Sequence, residues 1–445
     1  MKISIIGTGY VGLVSGVCLA EKGHQVVCVD VDQDKVNQIK QGTLPIYEKG
    51  LEDLLKKNID NNLRVTTDFY TAVIETNVSL IAVGTPFEGT EIDLSFVETV
   101  SHQIGEVLKD KDAYHVVVVK STVVPGTTDE VVLPILEETS GKTAGIDFGV
   151  GMNPEFLREG EAVHDFMFPD RIVFGGMDQR TIDALEELYG VFDGADKLRT
   201  NNKTAEMIKY ASNSLLATMI SFSNEIANLC SAIGDIDVVD VMEGVHLDKR
   251  LSPILPDGER IFPGFTTFLE AGCGFGGSCF PKDVKALIAH GKRHDRPMRL
   301  LNEVMRINEE QPRKVLSILK NHFPRLEGLR VTVLGLAFKP GTDDMRGSPA
   351  IPIIKELLAQ NALIKAYDPV AKSNAQGLFN DDNISFCKDL DDAVQNVHAI
   401  LLITRWEEFK KIPELLRDLD QQPIVIDGRR MLDKRSVARY EGIGL

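Results

Sequence analysis

The sequence has no run approaching the roughly 18–20 uninterrupted apolar residues that span a bilayer, so no membrane segment is expected. Its opening, Met1-Lys2-Ile3-Ser4-Ile5-Ile6-Gly7, runs straight into glycines and lacks a signal-peptide layout. Cysteine is sparse: six in 445 residues (Cys18, Cys28, Cys230, Cys273, Cys279, Cys387), with no CxxC pair. That excludes a disulfide scaffold. The thiols read as reduced, in a cytoplasmic protein, with one of them available as a nucleophile, and no metal is expected. Positive charge is also short, with 49 Lys+Arg against 66 Asp+Glu and a net charge of −17. A general nucleic-acid binder needs a basic face to displace counterions, so that class is excluded. A local basic pocket for a small anion is compatible with the balance. What is present is ordinary for a globular protein, 43% hydrophobic and 26% charged, which excludes wholesale disorder and collagen. No short tandem repeat or low-complexity segment occurs. At about 150 residues per domain the length predicts two or three domains.

Residues 1 to about 195 alternate β-rich runs with amphipathic segments. Strands are predicted at Lys2–Ile6, Gln25–Asp30, Ser79–Val83, His115–Lys120, Phe148–Met152 and Arg171–Phe174. Their Val/Ile runs predict strands covered on both faces of a doubly wound α/β sheet. Thr204 to Ala232 reads as one long helix, about 43 Å at 1.5 Å per residue, closed by Gly234. Further helical pattern lies at Asp235–Glu243, Asp283–Arg293 and Arg299–Leu319. From Gly328 a second α/β run begins, with strands predicted at Arg330–Leu336, Leu363–Tyr367, Ala399–Thr404 and Pro423–Asp427. The stretch Gly341 to Pro349 reads as a loop entering a helix. The expected architecture is two Rossmann-like doubly wound domains joined by a long central helix and a helical middle domain. Its parts are expected at 1–200, 201–320 and 321–445. A helix that long needs apolar cover along its side, so it is expected at the interface of a homodimer. Two α/β domains flanking a helical spine usually leave a cleft, and clefts favour ligands.

Gly7-Thr8-Gly9-Tyr10-Val11-Gly12 follows the first strand and opens the first helix. Gly7, Gly9 and Gly12 permit a tight turn, a close approach to pyrophosphate and close helix–strand packing. The helix N-terminus offers free N–H groups to phosphate. Asp30 ends the next strand, 18 residues beyond Gly12. A carboxylate there accepts both ribose hydroxyls and repels a 2′-phosphate, which favours NAD over NADP; nearby Lys35 weakens that preference slightly. The bland alternative is a structural turn, and FAD is the other cofactor that such a turn takes.

A second constellation is Gly272-Cys273-Gly274-Phe275-Gly276-Gly277-Ser278-Cys279-Phe280-Pro281-Lys282-Asp283. The glycines let backbone approach a ligand, and Pro281 suits the first turn of a helix. Cys279 would sit at that helix N-terminus, where the dipole and Lys282 favour thiolate. Asp283, four residues on, reaches toward the same place. The bland reading is a small buried thiol beside a capping Asp, and for Cys273 packing within the loop is the better account. NAD with a nucleophilic thiol implies aldehyde oxidation through a thiohemiacetal and a thioester.

With these motifs in hand, the sequence resembles the nucleotide-sugar 6-dehydrogenase family along nearly its whole length. The resemblance rests on the two loops above and on Val83-Gly84-Thr85-Pro86, Lys120-Ser121-Thr122-Val123-Val124-Pro125-Gly126-Thr127, Asn153-Pro154-Glu155-Phe156-Leu157-Arg158-Glu159-Gly160, Glu206 to Asn213, and Gly335-Leu336-Ala337-Phe338-Lys339-Pro340. It implies oxidation of a primary alcohol to a carboxylate in two steps with two NAD, UDP-glucose being the expected substrate. By resemblance Cys279 is the nucleophile, and Lys209 and Asn213 surround the developing oxyanion. They stand four apart on one helical face, and a cationic and an amide donor suit that task. Asp283 would position water and tune Lys209, Glu155 would be the base for thioester hydrolysis, and Thr122 would order the water. The resemblance assigns Tyr10, Val11, Asp30, Lys35, Thr85, Thr122, Glu159 and Arg346 to the cofactor; an Arg suits pyrophosphate through its forked donors. It assigns Glu155, Phe156, Leu157, Arg158, Lys209, Asn213, Phe268, Leu269, Gly276, Phe338, Lys339 and Arg429 to the sugar nucleotide. Phe268 and Phe338 read equally as core aromatics. One departure is an apparent insertion, Ser252 to Gly264, which leaves open whether Arg250 or Arg260 reaches a neighbouring subunit's sugar. Other readings are the same chemistry on UDP-N-acetylmannosamine, UDP-N-acetylglucosamine or GDP-mannose, a β-hydroxyacid dehydrogenase that transfers one hydride without a thiol, and a non-catalytic NAD-binding protein.

Overall fold

Runs of β-branched residues form the strands, and helices cover both of their faces. The computed structural model describes every residue except 418. It divides into two compact units, Met1–Ser212 and Asn213–Leu445.

The first unit contains β1 (Lys2–Ile6), β2 (Gln25–Val29), β3 (Leu63–Thr66), β4 (Val78–Ile81), β5 (His115–Val119), β6 (Phe148–Met152), β7 (Arg171–Gly176) and β8 (Asp196–Thr200). They form one sheet in the order β8-β7-β6-β5-β4-β1-β2-β3. All pairs are parallel except β6 with β7. Alternate residues feed two cores on opposite faces. Ile3, Ile5, Val116 and Val118 join one, and Ile6, Val117 and Val119 join the other.

The second unit contains β9 (Arg330–Leu334), β10 (Leu363–Tyr367), β11 (Ile384–Phe386), β12 (Ala399–Leu402), β13 (Ile424–Asp427) and β14 (Tyr440–Gly442). This sheet is wholly parallel, in the order β11-β10-β9-β12-β13-β14. The same alternation sends Val331 and Val333 to one core and Leu334 and Leu402 to the other. Each sheet therefore has the doubly wound arrangement that reverses beside its first strand, and such folds bind ligands at the carboxyl ends of the strands at that reversal.

Five helices matter for the site: α1 (Tyr10–Glu21), α2 (Asn202–Ile233), α3 (Val238–His246), α4 (Phe280–Arg293) and α5 (Arg299–His322). α2 runs for 32 residues, starting two residues earlier than its pattern predicts, because Asn201 caps it by accepting from Thr204 N–H at 2.8 Å. Gly234, at φ +80°, ends it. α3 starts later than predicted: Asp237 is its cap, bonded to Val239 N–H. No helix among the described residues is long and apolar enough to cross a membrane.

Four strands of these two sheets are not marked by apolar runs: β3, β8, β11 and β14. All four are short, and β3, β8, β11 and β14 lie at or next to a sheet edge. β8, Asp-Lys-Leu-Arg-Thr, has no buried residue, so its pairing rests on backbone hydrogen bonds rather than on an apolar face. β9 stops at Leu334 and not at Leu336, because Gly335 turns the chain at φ +89°.

That turn is held by one carboxylate. Asp368, at the end of β10, accepts N–H groups from Leu336 (2.7 Å), Ala337 (3.0 Å), Val370 (3.0 Å) and Ala371 (2.9 Å), and the Trp406 indole N–H (3.1 Å). Asp368→Ala strands these buried donors. We expect a loss of about 3 kcal/mol in stability, read as a lower Tm in calorimetry.

Candidate functional site

In the first unit the turn between β1 and α1 is built for an anion. Gly7 sits at φ +99°. A Cβ at Gly12 would lie 1.9 Å from the Gly7 carbonyl oxygen, so no side chain fits, while Gly9 faces open space. Asp30 follows β2. Its Oδ2 accepts from Thr8 N–H (2.9 Å), Thr8 Oγ1 (2.5 Å) and Lys35 Nζ (3.1 Å), and its Oδ1 from Asp32 N–H (3.1 Å). Burial works to raise the Asp30 pKa, but these donors outweigh it and hold the carboxyl below its ordinary value. A turn with glycine at its close-approach positions, a helix N-terminus and an ionised acid fit the diphosphate and ribose of NAD. Lys35 lies directly on Asp30, and Val11 is half-buried at the start of α1.

Half-buried Tyr10 joins a network that no sequence pattern marks. Its hydroxyl donates to Glu48 and accepts from Gly160 N–H at 3.0 Å. Glu48 also accepts Gly160 N–H (2.7 Å) and Ala162 N–H (2.9 Å). One buried carboxylate thus ties the cofactor turn to the segment holding Glu155 and Glu159. Glu48 looks like a solvated loop charge in sequence, and nothing local marks it.

Glu155 and Lys209 form an ion pair at 2.8 Å with both side chains almost fully buried. Glu155 also accepts Leu157 N–H at 2.6 Å. Its burial pushes the pKa up, but Lys209, Leu157 N–H and Lys120 together pull it below the ordinary value. Lys120 is itself buried. It donates to Asn153 Oδ1 (2.9 Å) and Tyr189 (3.4 Å), and desolvation brings its pKa down to about 8. Phe156 lies under the Arg171 guanidinium, 4.0 Å from the ring centre. Leu157 packs on the core, and Arg158 pairs with Asp165 (2.6 Å) and Glu161 (2.8 Å) at the surface. The carbonyl of Thr122 accepts Thr85 Oγ1–H at 2.8 Å.

In the second unit Cys279 is the residue immediately before α4, and Pro281 lies in the helix's first turn. Asp283, 1% exposed, accepts Asn213 Nδ2–H (2.6 Å) at one oxygen and Lys282 (2.7 Å) at the other. Lys282 therefore pairs with Asp283. The glycine loop is walled by backbone: a Cβ at Gly276 would lie 2.2 Å from the Gly347 carbonyl oxygen. Phe338 is half-buried and packs its ring against Gly277, with Lys339 5.9 Å from the ring centre. Phe268 stands 6.3 Å from the Phe280 ring, and Leu269 is buried. Asn308 on α5 holds both backbone groups of Phe275 (2.7 and 3.0 Å), and Asn224 on α2 accepts Gly272 N–H (2.8 Å). Neither Asn stands out in sequence.

Four arginines are used in ways that charge alone does not reveal. Arg429 donates to the carbonyls of Ile403 (2.6 Å) and Gly274 (2.8 Å), bolting the glycine loop to the sheet end. Arg346 forks onto Asp344 (2.8–3.0 Å) at the surface. Arg260 donates to the carbonyls of Leu247 and Ser252 (2.8 Å each) and closes its own loop, whereas Arg250 is exposed and forks onto Asp248. Cys273 is fully buried, with its thiol on the Ile403 carbonyl.

A dinucleotide turn in one unit and a thiol at a helix start in the other define a dehydrogenase of the doubly wound class. Comparison with known proteins narrows this. Residues 1–193 match the NAD binding domain of the UDP-glucose/GDP-mannose dehydrogenase family, 203–310 its central domain and 332–434 its UDP binding domain. The chain is 42% identical over 448 residues to the UDP-glucose 6-dehydrogenase AglM of Haloferax volcanii, covering all of both proteins. It is 42% identical over 370 residues to the GDP-mannose 6-dehydrogenase of Pseudomonas aeruginosa, covering 83% of this chain and 81% of that one. A solved UDP-glucose dehydrogenase from Pyrobaculum islandicum superposes with a TM-score of 0.89 at 38% identity, covering 99% of this chain and 97% of that one. The chain belongs to the UDP-glucose/GDP-mannose dehydrogenase family.

The buried ion pair has a stability signature. Because the Glu155 pKa is depressed in the folded chain, its contribution is present above the ordinary carboxyl range and lost as pH falls through the folded value. Lys209→Met leaves Glu155 buried without its cation, and we expect about 3–5 kcal/mol of destabilisation near neutral pH. Burial then raises the Glu155 pKa, so the Tm gap to the parent should narrow in mildly acidic buffer as Glu155 takes up a proton. A gap that is constant with pH would show that the lost interaction is not the ion pair.

Proposed function

We propose that the chain oxidises C6 of UDP-glucose from alcohol to carboxylate, yielding UDP-glucuronate. The observation that carries this reading is Cys279 at the start of α4 beside the Asp283–Asn213 pair, because a single-hydride dehydrogenase needs no thiol. Bound NAD would accept one hydride at each oxidation stage. The chain's own part begins with the alcohol proton, which leaves through water or Lys209. Lys209 and Asn213 donate to the oxygen on which negative charge builds. The sulfur of Cys279 then bonds to the aldehyde carbon and makes it tetrahedral, the state from which a second hydride can be lost. The resulting thioester is opened by water, which Thr122 orders and Asp283 positions. Glu155, held ionised, takes the water's proton, and the thiol is regenerated as the carboxylate departs.

In the same reading Gly7, Gly9, Tyr10, Val11, Gly12, Asp30, Lys35, Thr85, Thr122, Glu159 and Arg346 serve the cofactor. Glu155, Phe156, Leu157, Arg158, Lys209, Asn213, Phe268, Leu269, Gly276, Phe338, Lys339 and Arg429 serve the sugar nucleotide. The working division is a cofactor domain at 1–200, a central domain at 201–320 and a sugar-nucleotide domain at 321–445. The enzyme is cytoplasmic, a reading supported by its six free thiols. It is a homodimer through α2, supported by an exposed apolar stripe of Leu215 (61%), Phe222 (48%), Leu229 (56%) and Ile233 (62%) on that helix.

NADH yield against a panel of nucleotide sugars tests the reaction. UDP-glucose should give two NADH per molecule. One NADH would point to single-hydride chemistry, and preference for GDP-mannose or an N-acetylhexosamine would reassign the sugar. Cys279→Ser should lower steady turnover by at least about a thousandfold, and NADH production at the parent rate would remove the thiol from the mechanism. Phe222→Glu with Leu229→Glu should convert a dimer to a monomer by light scattering; a parent that is already monomeric would refute the assembly.

A further inference from the structure

Glu206 lies on α2, three residues before Lys209, and is fully buried. No ion pair among the described residues involves it. Its carboxylate instead accepts three donors from one stretch of chain: Gly126 N–H at 2.6 Å on one oxygen, and Thr128 N–H (2.8 Å) and Oγ1–H (2.7 Å) on the other. That stretch begins four residues after Thr122, whose carbonyl is held by Thr85. We propose that Glu206 is a positioning residue, which pins the Gly126–Thr128 turn onto α2 and thereby sets Thr122 relative to Lys209. The inference rests on the roles given above to Thr122 and Lys209.

The surroundings make this clamp pH-dependent. Burial pushes the Glu206 carboxyl up to about 7, against the pull of the Thr128 and Gly126 donors, and Asp129 adds to the rise. The charged groups around it are Asp129 and Glu130 on the helical turn Thr128–Val132, and Lys203 and Lys209 on α2. Asp129 accepts from Asn202 (2.7 Å), Lys203 pairs with Glu130 (2.5 Å), and Lys209 pairs with Glu155 (2.8 Å). Below about 7 a proton occupies one oxygen, where an O–H then faces an N–H donor and one anchor is lost. The linkage runs opposite to that of Glu155. A carboxyl raised in the folded state makes folding less favourable as pH climbs from the ordinary 4.5 toward about 7. Ionised Glu206 therefore lowers stability while it orders the turn.

Glu206→Gln, an imitation of the protonated form, separates the two. We expect kcat to fall about ten- to a hundredfold at mildly alkaline pH, with KM for NAD little changed. The Tm at that pH should be equal to or above the parent's, and the inflection of kcat near pH 7 should disappear. Thr128→Val, which deletes only the hydroxyl donor, should move that inflection to higher pH. Parent-like kcat with the inflection intact, or a lowered Tm with unchanged turnover per folded molecule, would overturn the proposal. Amide exchange at Gly126 and Thr128 in the cofactor-free protein gives a readout independent of the reaction. It should speed up in Glu206→Gln even if the parent oxidises no nucleotide sugar, and unchanged protection would refute the clamp while leaving the proposed function standing.

Discussion

In each unit, a carboxylate at the end of the second strand holds the turn that follows the first. Asp30 takes the N–H and hydroxyl of Thr8, and Asp368 takes the N–H groups of Leu336 and Ala337. The turns themselves have glycines at positive φ, Gly7 and Gly335. A backbone free to adopt that conformation is also free to leave it, so an external acceptor has to fix it. The two acids differ in what remains. Asp368 also closes the start of the next helical stretch and the Trp406 side chain. Asp30 retains a surface contact through Lys35, which is where an adenosine ribose binds in this class of fold.

Buried charge is the second organising feature. Glu155, Lys209 and Lys120 sit in the first unit's interior, and desolvation works against the charge of Glu155 and of Lys120. Glu155 stays ionised because Lys209 stands at 2.8 Å and a backbone N–H at 2.6 Å. Such a pair is weak evidence for stability, but it keeps a carboxylate ionised in a dry environment. In the second unit Asp283 plays a comparable part, fixing Asn213 and Lys282 at its two oxygens.

The cofactor turn was legible because its requirements are local. Three glycines, a strand before them and an acid 18 residues on all lie within the first 30 positions. Cys279 was legible for the same reason, with Pro281 marking the helix start beside it. Glu48, Glu206 and Asn308 were not. Their partners lie 112, 80 and 33 residues away, and each alone looks like an ordinary polar side chain. Arg429 and Arg346 carry contacts that no local pattern marks, one to the backbone carbonyls of Ile403 and Gly274 and the other to Asp344. Short edge strands such as β8 were missed because they are polar and held by backbone pairing.

The order of strands and helices, the two glycine loops and the thiol at a helix start follow from the sequence alone, since each depends on side-chain pattern or backbone freedom over a few consecutive residues. Which acids stay ionised, which groups the arginines contact and which carboxylates hold the loops were decided only by the tertiary structure. Ionisation and hydrogen bonding depend on desolvation and on partners that the folded chain alone brings within 3 Å.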